Sequence, residues 1–559
     1  MSSATTPSGG VSFAAPGPGQ WALDRSHYPG GTTRISMSLM DSGFAPGLRR
    51  AFAAIGTPVD TVEAKFVNGF MYTRLRPLIG ANKPAKKLPP NVVLAVATRL
   101  HPAFRVRNKA ATKTFATRPW RAVVADWEHS IRPMLVQTND QFGSVDVARC
   151  SDVELTEHVD ALIAHLRSTF ETHFWLHGFD LGPVAMYVHG VGELGIPAAD
   201  AIAALGGASP TTSAPIGELA QINVLLEATG CEPTTLEQIR GASPELSGLV
   251  DAYLIKHGDH LVTRYDLDGL TLSELPAVVL STILNAGSER GATAHPEAIA
   301  AALRARVAEE HRAQFDDLLT EARAVMDLRD DNGPNTVERP LGILRRALLE
   351  VGRRMVVTGR ATAREQVFEL EPAEISSMLS DTPLVTSDVL HKRAEDRAAQ
   401  ARLDPPLGLG VAEPTPPLSV LPPQLRRLVS MVETAMREMG LSADRPSGVS
   451  QTDGLSGSGI GTAVYRGRVR RADNPEEAIV SMEPGDVLVV RATNPTYNAI
   501  LMLAGAVVTA DGGPLSHAAV LARELGISAV VGASAAMTLP DGAIVDVDPI
   551  AGKVTIVSK

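Results

Sequence analysis

The stretch Thr509-Ala-Asp-Gly-Gly-Pro-Leu-Ser-His-Ala-Ala-Val-Leu-Ala-Arg-Glu-Leu-Gly526 decides the fold of the C-terminal part of the chain. Residues 504–509 and 527–532, on either side of the stretch, are apolar runs that predict two buried strands. The Asp-Gly-Gly sequence at 511–513 predicts a tight turn, because glycine adopts backbone angles that other residues avoid. Ser516 as N-cap and Gly526 as C-cap bound a predicted helix over 517–525. The predicted order is therefore strand, glycine turn, short helix, strand.

His517 occupies the first position of this predicted helix. Free backbone N–H groups and the positive end of the helix dipole meet there, so the position favours bound phosphate. A neutral imidazole is also a nucleophile, and a phosphorylated ring nitrogen can pass its phosphoryl group on. We therefore expect His517 to carry a phosphoryl group; the alternative is an exposed histidine at the start of an ordinary helix. The candidate phosphate-binding residues are Thr509, Gly512, Gly513, Ser516 and Arg523, with Glu524 as an alternative partner for Arg523.

The whole string resembles the phosphohistidine swivelling domain of the phosphoenolpyruvate-utilising enzymes. The elements that carry the resemblance are Thr509, Gly512-Gly513, Ser516-His517-Ala518-Ala519, Ala522-Arg523-Glu524-Leu525-Gly526 and Val530-Val531-Gly532. Residues 485–490 with Asn494-Pro495 resemble the upstream strand and loop of the family, and residues 541–552 resemble its closing strands. The resemblance spans residues 456–559 and implies that His517 is the phosphorylated residue.

The composition of the chain is that of an ordinary globular enzyme. It has 559 residues, of which 44% are hydrophobic and 20% charged, and its net charge of −10 argues against nucleic-acid binding. Cys150 and Cys231 lie far apart, so we expect neither a disulfide framework nor a cysteine metal site. We find no signal-peptide pattern and no apolar run of membrane-spanning length. We therefore expect a soluble cytoplasmic protein with neither nucleic-acid nor membrane partners.

Four segments are predicted along the chain. Residues 1–20 are rich in Ser, Gly, Pro and Ala and predict a disordered tail. Residues 21–402 predict mostly helices, with helical apolar spacing over 153–174, 296–325 and 339–357. Residues 403–455 predict a linker that is rich in proline and glycine and contains one helix at 424–439, and the resemblance implies that residues 456–559 form the phosphohistidine domain. The expected fold is multidomain, with a mainly α-helical substrate domain followed by a small α/β swivelling domain.

The predicted helical part resembles the substrate domain of rifampin phosphotransferase and related proteins, at residues 21–34, 253–268 and 345–370. Multidomain members carry an ATP-grasp domain before this part, and we find no phosphate loop of the GxxxxGK type here. The chain therefore resembles the catalytic subunit of phenylphosphate synthase or of the related 4-methylphenol-phosphorylating system. That resemblance implies a separate ATP-grasp subunit that binds ATP and Mg²⁺.

Transfer from His517 to a hydroxyl requires a base and nearby positive charge. His257, His260, Arg264 and Asp266 offer both within one segment, and His260 is our candidate base, although the family often has arginine at that position. The alternative is a polar loop with solvated histidines. His173 and His177 have the i, i+4 spacing of metal ligands, but no third ligand is evident, so we predict no metal site. The candidate substrate-binding residues are His27, Arg34, Trp175, His177, His189, His257, Arg264 and Asp266.

Together these features predict a phosphotransferase subunit. A partner would use ATP to phosphorylate His517, and the phosphoryl group would pass to a phenol or an aromatic alcohol such as 4-methylphenol, with AMP and phosphate as the other products. Four aromatic residues gather within 174–187 of a chain poor in aromatics, and this favours an apolar pocket. The alternatives are an antibiotic phosphotransferase of the rifampin type and a regulatory phosphocarrier without catalytic activity. The charged residues of 327–331 predict a solvated loop.

Overall fold

The computed structural model describes residues 11–25, 27–83, 87–286, 296–441 and 455–558. Residues 1–10 of the predicted tail and residues 442–454 of the predicted linker lie outside these ranges. The remaining residues of both segments are described, and helix Pro423–Glu438 lies where the pattern of 424–439 predicts one.

Helices predominate in the described residues. The strands are β1 (Gln20–Leu23), β2 (Val59–Val67), β3 (Phe70–Pro77), β4 (Gly408–Gly410), β5 (Leu455–Ser456), β6 (Ser458–Ile460), β7 (Tyr465–Arg471), β8 (Val487–Val490), β9 (Ala506–Thr509), β10 (Ser528–Val531), β11 (Ile544–Asp548) and β12 (Lys553–Ser558). The helices are α1 (Arg34–Ile55), α2 (Asn91–Leu100), α3 (Pro102–Thr117), α4 (Trp120–Asp126), α5 (Arg132–Gly143), α6 (Asp152–Glu193), α7 (Ala198–Ala203), α8 (Pro210–Thr229), α9 (Leu236–Ala242), α10 (Pro244–His257), α11 (Pro276–Asn285), α12 (Pro296–Arg306), α13 (Arg312–Ala324), α14 (Met326–Gly333), α15 (Arg339–Val357), α16 (Ser387–Gln400), α17 (Pro423–Glu438), α18 (Pro475–Ser481), α19 (Asn498–Leu501) and α20 (His517–Leu525). One π-helical turn, Pro334–Glu338, joins α14 to α15.

The chain forms two compact units. The first contains the described residues of Met1–Asp180, Tyr265–Asp268 and Asn332–Ser430, and the second contains those of Leu181–Arg264, Gly269–Asp331 and Met431–Lys559. The units group residues by packing, whereas the four predicted segments were bounded by composition and resemblance. The bounds of those segments stay a prediction.

A four-stranded antiparallel sheet of order β2-β3-β1-β4 belongs to the first unit. Asn68 and Gly69 turn β2 into β3 with φ angles of 50° and 77°, the left-handed conformation that Asn-Gly favours in hairpins. Trp21, Phe70 and Tyr72 form its apolar core with Leu409. The sheet lies in a part of the chain predicted to be mostly helical. The Asn-Gly turn was the sequence signal for this hairpin, and an analysis of helical spacing alone does not detect it.

Helix α1 of the first unit begins at a buried carboxylate. Thr33 caps α1, and its backbone N–H donates to Oδ2 of Asp266 over 2.8 Å. The Ser36 hydroxyl donates to the other oxygen of Asp266 over 2.8 Å. Since a carboxylate at a helix N-terminus satisfies free N–H groups and opposes the dipole, Asp266 holds the start of α1 in place.

The second unit is built on an eight-stranded mixed sheet of order β5-β12-β11-β7-β8-β9-β10-β6. Strands β7, β8, β9 and β10 are parallel to one another, and antiparallel strands flank them on both sides. Alternate residues of the central strands face opposite sides. Leu488 and Val507 join the cluster that includes helices α8 to α11, whereas Val487 and Val508 join the cluster on the other face.

Several predicted helices are confirmed. Helix α15 covers Arg339–Val357 as predicted, and the prediction for 153–174 lies within the longer α6. The prediction for 296–325 corresponds to α12 and α13 with a break between them. Among the helices of the described ranges, none has the length and apolar character that crossing a membrane requires.

The prediction of a solvated loop for the charged residues of 327–331 is wrong. These residues lie in helix α14, and Asp331 is buried. Oδ1 of Asp327 accepts the backbone N–H of Thr211 over 2.9 Å, and Oδ2 of Asp330 accepts the Thr212 hydroxyl over 2.8 Å. The carboxylates therefore bind the first turn of α8, a tertiary role that the local charge pattern does not reveal.

Candidate phosphohistidine site

His517 begins helix α20 directly after the glycine turn that follows β9, as predicted. Gly526 ends the helix with a φ of 68°, and Gly512 in the turn has a φ of 110°. Gly513 is required for a different reason, because a Cβ there would lie 2.2 Å from the backbone oxygen of Glu438. The turn thus needs one glycine for its conformation and the next for close packing.

Both ring nitrogens of His517 have hydrogen-bond partners. Nδ1 lies 2.8 Å from Oγ1 of Thr493, and Nε2 lies 2.9 Å from Oδ1 of Asn498. With the Asn498 amide in this orientation, Nε2 donates its proton to the amide oxygen and Nδ1 accepts the threonine hydroxyl. The two contacts fix the plane of the imidazole at the start of α20.

The environment keeps His517 uncharged. Burial and, secondarily, the nearby Arg329 guanidinium lower the pKa of His517 to about 3. The imidazole is therefore neutral at physiological pH and retains a lone pair for attack on phosphorus.

Two donors beside His517 are buried without a hydrogen-bond partner among the described residues. They are Nη1 of Arg329 and Oγ of Ser516. Nη2 of the same Arg329 donates to the backbone oxygen of Leu515 over 3.3 Å. Ser516 stands at the N-cap position, as predicted, but its side chain makes no capping bond. Since an unsatisfied buried donor is costly, both groups suit an added anion at the start of α20.

Thr509 and Arg523 bind the turn itself. The Thr509 hydroxyl donates to the backbone oxygen of Asp511 over 2.6 Å. Nη1 of Arg523 donates to the backbone oxygen of Pro514 over 2.7 Å, and burial lowers the pKa of this guanidinium to about 10. These contacts hold the segment between β9 and α20. A direct role of Thr509, Arg523 or the two glycines in binding phosphate stays a prediction.

Residues 482–552, which include the glycine turn, His517, Thr493 and Asn498, match the family model of the mobile domain of PEP-utilising enzymes. The chain carries a PEP-utiliser mobile domain. Phosphoenolpyruvate synthase of Aeropyrum pernix is 49% identical over 92 residues, which are 16% of this chain and 11% of that protein.

Two other relatives match longer parts of the chain. An uncharacterised protein of Mycobacterium tuberculosis is 34% identical over 220 residues, 39% of this chain and 22% of the relative. Chondramide synthase of Chondromyces crocatus is 29% identical over 342 residues, 57% of this chain and 8% of that protein. The chain thus covers 22% or less of the length of each of these relatives.

Three residues around the phosphohistidine position were not predicted. Thr493 and Asn498 of the mobile domain flank Asn494-Pro495, which carried part of the resemblance, so the signal was adjacent to them. Arg329 precedes His517 by 188 positions in the sequence, and only the tertiary packing of the second unit brings it beside the mobile domain.

The predicted histidines of the second unit have local partners. Nε2 of His257 lies 2.7 Å from Oε2 of Glu218, and this hydrogen bond is the main reason why the pKa of Glu218 falls to about 2. The ring of His260 stands 5.7 Å from that of His257. Nδ1 of His189 lies 3.5 Å from Oγ1 of Thr434. His257, His260 and Arg264 belong to the second unit, whereas Asp266 belongs to the first.

The other predicted substrate residues lie in the first unit. Arg34 pairs with Glu371 over 2.8 Å and lines two clefts of about 320 and 200 Å³. Trp175 packs edge-to-face against Phe179 with ring centres 5.3 Å apart and lies under the Arg50 guanidinium. Both carboxylate oxygens of Asp266 accept hydrogen bonds from the start of α1. A role in substrate binding stays a prediction for each of them.

His27 and His177 pair with carboxylates of the first unit. Nδ1 of His27 lies 3.0 Å from Asp24, and Nδ1 of His177 lies 2.6 Å from Asp180. Nε2 of His177 also lies 3.2 Å from Nε2 of His173. Within the described ranges, no group of three or more His, Cys, Asp or Glu residues is arranged to hold a metal ion.

Proposed function

We propose that this chain is a phosphotransferase subunit in which His517 accepts a phosphoryl group and passes it to a substrate hydroxyl. The observation that carries the proposal is the neutral imidazole of His517 at the start of α20, beside donors of Arg329 and Ser516 that have no partner among the described residues. A nucleophile and nearby hydrogen-bond donors suited to its phosphorylated form thus support the proposal.

The proposed reaction consists of two phosphoryl transfers, one to His517 and one from it. In the first step a ring nitrogen of His517 attacks phosphorus, the bond from phosphorus to the donor breaks, and the other ring nitrogen keeps its proton. In the second step the acceptor oxygen forms a bond to phosphorus, the phosphorus–nitrogen bond breaks, and the hydroxyl proton passes to a base. His517 leaves as neutral imidazole, the state that its surroundings favour.

Arg329 and Ser516 act on the phosphorylated state in this proposal. Nη1 of Arg329 and the Ser516 hydroxyl donate to phosphoryl oxygens, and the backbone N–H groups of the first turn of α20 add to them. Thr493 and Asn498 orient the ring. One of these two contacts must open, because the nitrogen that binds phosphorus cannot keep its hydrogen bond.

The donor and the acceptor are further parts of the proposal. We place ATP and Mg²⁺ on an ATP-grasp partner subunit, which the resemblance to phenylphosphate synthase supports. The proposed acceptor is a phenol such as 4-methylphenol. The phosphoenolpyruvate synthase relative, and a Bacillus subtilis relative described as an uncharacterised phosphotransferase, support the phosphotransferase class but not this acceptor.

A chemical donor allows a test without the partner. The full chain is incubated with potassium phosphoramidate, whose phosphorus–nitrogen bond breaks as phosphohistidine forms, and the product is followed by ³¹P NMR. We expect one acid-labile, alkali-stable phosphohistidine that His517→Ala abolishes and His391→Ala, a change at an exposed histidine, retains. Addition of 4-methylphenol should convert the label to aryl phosphate. Equal labelling of the His517→Ala and wild-type chains would contradict the proposal.

A further inference from the structure

The first unit contains a cluster of titratable side chains that the phosphohistidine chemistry does not use. We call it the Glu338 cluster and define it by His27, His173, His177, Tyr265 and Glu338. Its members come from separate parts of the sequence, namely the segment before α1, helix α6, the segment 265–268 and the π-helical turn Pro334–Glu338.

Glu338 is the buried member of the cluster. It is only 3% exposed, and its Oε1 has no hydrogen-bond partner among the described residues. A Cβ on Gly333 would lie 3.1 Å from that oxygen, so the glycine leaves room for the carboxyl group. Burial raises the pKa of Glu338 to about 8. Glutamate is rarely buried alone, and π-helical turns such as this one occur frequently at functional sites.

The other members are connected to Glu338 through Tyr265 and through the π-helical turn. The charge of Glu338 contributes, after burial, to raising the pKa of Tyr265. The ring centre of Tyr265 lies 5.8 Å from that of His27. Nδ1 of His173 lies 3.0 Å from Oγ1 of Thr336, in the same π-helical turn as Glu338. His173 also interacts with His27 and His177, so the five members form one connected group.

Two members of the cluster are exposed to solvent. The side chains of His27 and His177 are 53% and 36% exposed, although Glu338 and Asp180 are buried. Aromatic rings lie beside the imidazoles, with Phe174 4.8 Å from His173 between ring centres. Exposed rings, in one group with a buried acid whose Oε1 has no hydrogen-bond partner among the described residues, suit a small ligand with one polar group.

We infer that the Glu338 cluster binds the acceptor of the phosphoryl group, and that Glu338, in place of the His260 expected from the sequence, takes the proton of its hydroxyl. This inference rests on the proposed function. The acceptor it fits is an uncharged hydroxyl compound, because His27 and His177 already pair with Asp24 and Asp180 and offer no free cation to an anion. Oε1 of Glu338 is the atom that the hydroxyl reaches.

The acceptor oxygen forms its bond to phosphorus as the phosphorus–nitrogen bond of phospho-His517 breaks, and the hydroxyl proton moves to the Glu338 carboxylate. Among the described residues, Tyr265 is the titratable group that interacts with this carboxyl. Tyr28 and His27 lie beside Tyr265, and His173 interacts with His27 and His177. A base with a pKa near 8 is well matched to a hydroxyl proton at mildly alkaline pH.

The test follows discharge of phospho-His517 in the full chain. Chain charged with phosphoramidate is freed of reagent and mixed with 4-methylphenol between about pH 6 and pH 9. We expect Glu338→Gln to charge normally but to discharge about 100-fold more slowly, and to lose the rise of the rate with pH up to about 8. Glu365→Gln, a change at an exposed carboxylate paired with Arg364, should match the wild type. Normal discharge of Glu338→Gln, or no discharge of wild-type chain above the rate in buffer, overturns the inference.

Direct binding separates this inference from the proposed function. Ligand-observed NMR on uncharged chain should detect 4-methylphenol, with binding retained in Glu338→Gln and weakened at least about fivefold in Glu338→Ala. If His517 is never phosphorylated but this pattern holds, the proposed transfer fails while the binding site stands. If the wild type does not bind 4-methylphenol, or Glu338→Ala binds it equally well, the binding site is refuted whatever the state of His517. Circular dichroism shows whether each variant is folded.

Discussion

Nη2 of Arg329 donates to the backbone oxygen of Leu515 over 3.3 Å. Because Leu515 lies two positions before His517, this bond holds the Arg329 guanidinium beside the histidine. Nη1 of Arg329 is buried with no partner in the part of the chain that the structure describes, and the guanidinium contributes to lowering the pKa of His517. The positive charge of Arg329 disfavours protonation of the His517 imidazole. The same charge favours attachment of the negatively charged phosphoryl group to that ring. The contact therefore assists His517 both before and after phosphorylation.

Arg329→Gln should lower the yield of phospho-His517. The change removes the positive charge beside the ring. In comparable sites the loss of one such donor lowers the reaction rate about 100-fold. The rate of charging by phosphoramidate, measured by ³¹P NMR, provides the test. Arg304→Gln is the matched control, since Arg304 also lies in the second unit but forms an exposed pair with Asp316. Equal rates for the two variants would show that Arg329 has no part in the site.

Thr493→Val should slow the charging of His517 by about tenfold, because the ring loses the hydroxyl that lies 2.8 Å from Nδ1 and is held less firmly. Valine keeps the shape of the side chain, so the fold should be unaffected. Thr538→Val removes an exposed hydroxyl of the same unit, which donates to Ala535, and should charge at the wild-type rate. A Thr493→Val chain that charges as fast as this control would mean that the contact does not orient the ring.

Gly513→Ala should destabilise the second unit by about 2 kcal/mol, because the added methyl group meets the backbone oxygen of Glu438 at 2.2 Å. Gly217→Ala is the control. Gly217 lies in helix α8 with open space around its Cα, so alanine there should stabilise the helix slightly. Urea denaturation followed by circular dichroism measures both, and a neutral Gly513→Ala would show that the turn can move away from Glu438.

The stability of the chain should depend on pH through His517. Burial lowers the pKa of His517 to about 3 from 6.5, so the unfolded chain binds a proton that the folded chain does not between these values. This contribution to stability is complete above pH 6.5 and is lost as the pH falls towards 3. The Tm of wild type should therefore fall more steeply than that of His517→Asn on acidification, by a few degrees. Parallel Tm curves would contradict the depressed pKa.

The sequence predicted the local features of the phosphohistidine site well. Ser516, His517 and Gly526 have the cap and helix positions that they were given, because caps and glycine turns are determined by neighbouring residues. Arg329 was missed, since its place beside His517 depends on packing between distant segments. The hairpin at Asn68-Gly69 was missed although its turn signal is local, because long helical patterns dominated that part of the chain.

The backbone N–H of Leu515 donates to the backbone oxygen of Glu438 over 2.9 Å, at the end of α17. Gly440 and Gly512 also approach so closely that a Cβ on Gly440 would lie 2.5 Å from the Gly512 backbone. The segment that leads into the mobile domain thus holds the turn that carries His517, and the domain cannot leave this arrangement while the hydrogen bond persists. The amide proton of Leu515 is consequently a built-in reporter: its exchange with solvent measures how often the reactive turn is released.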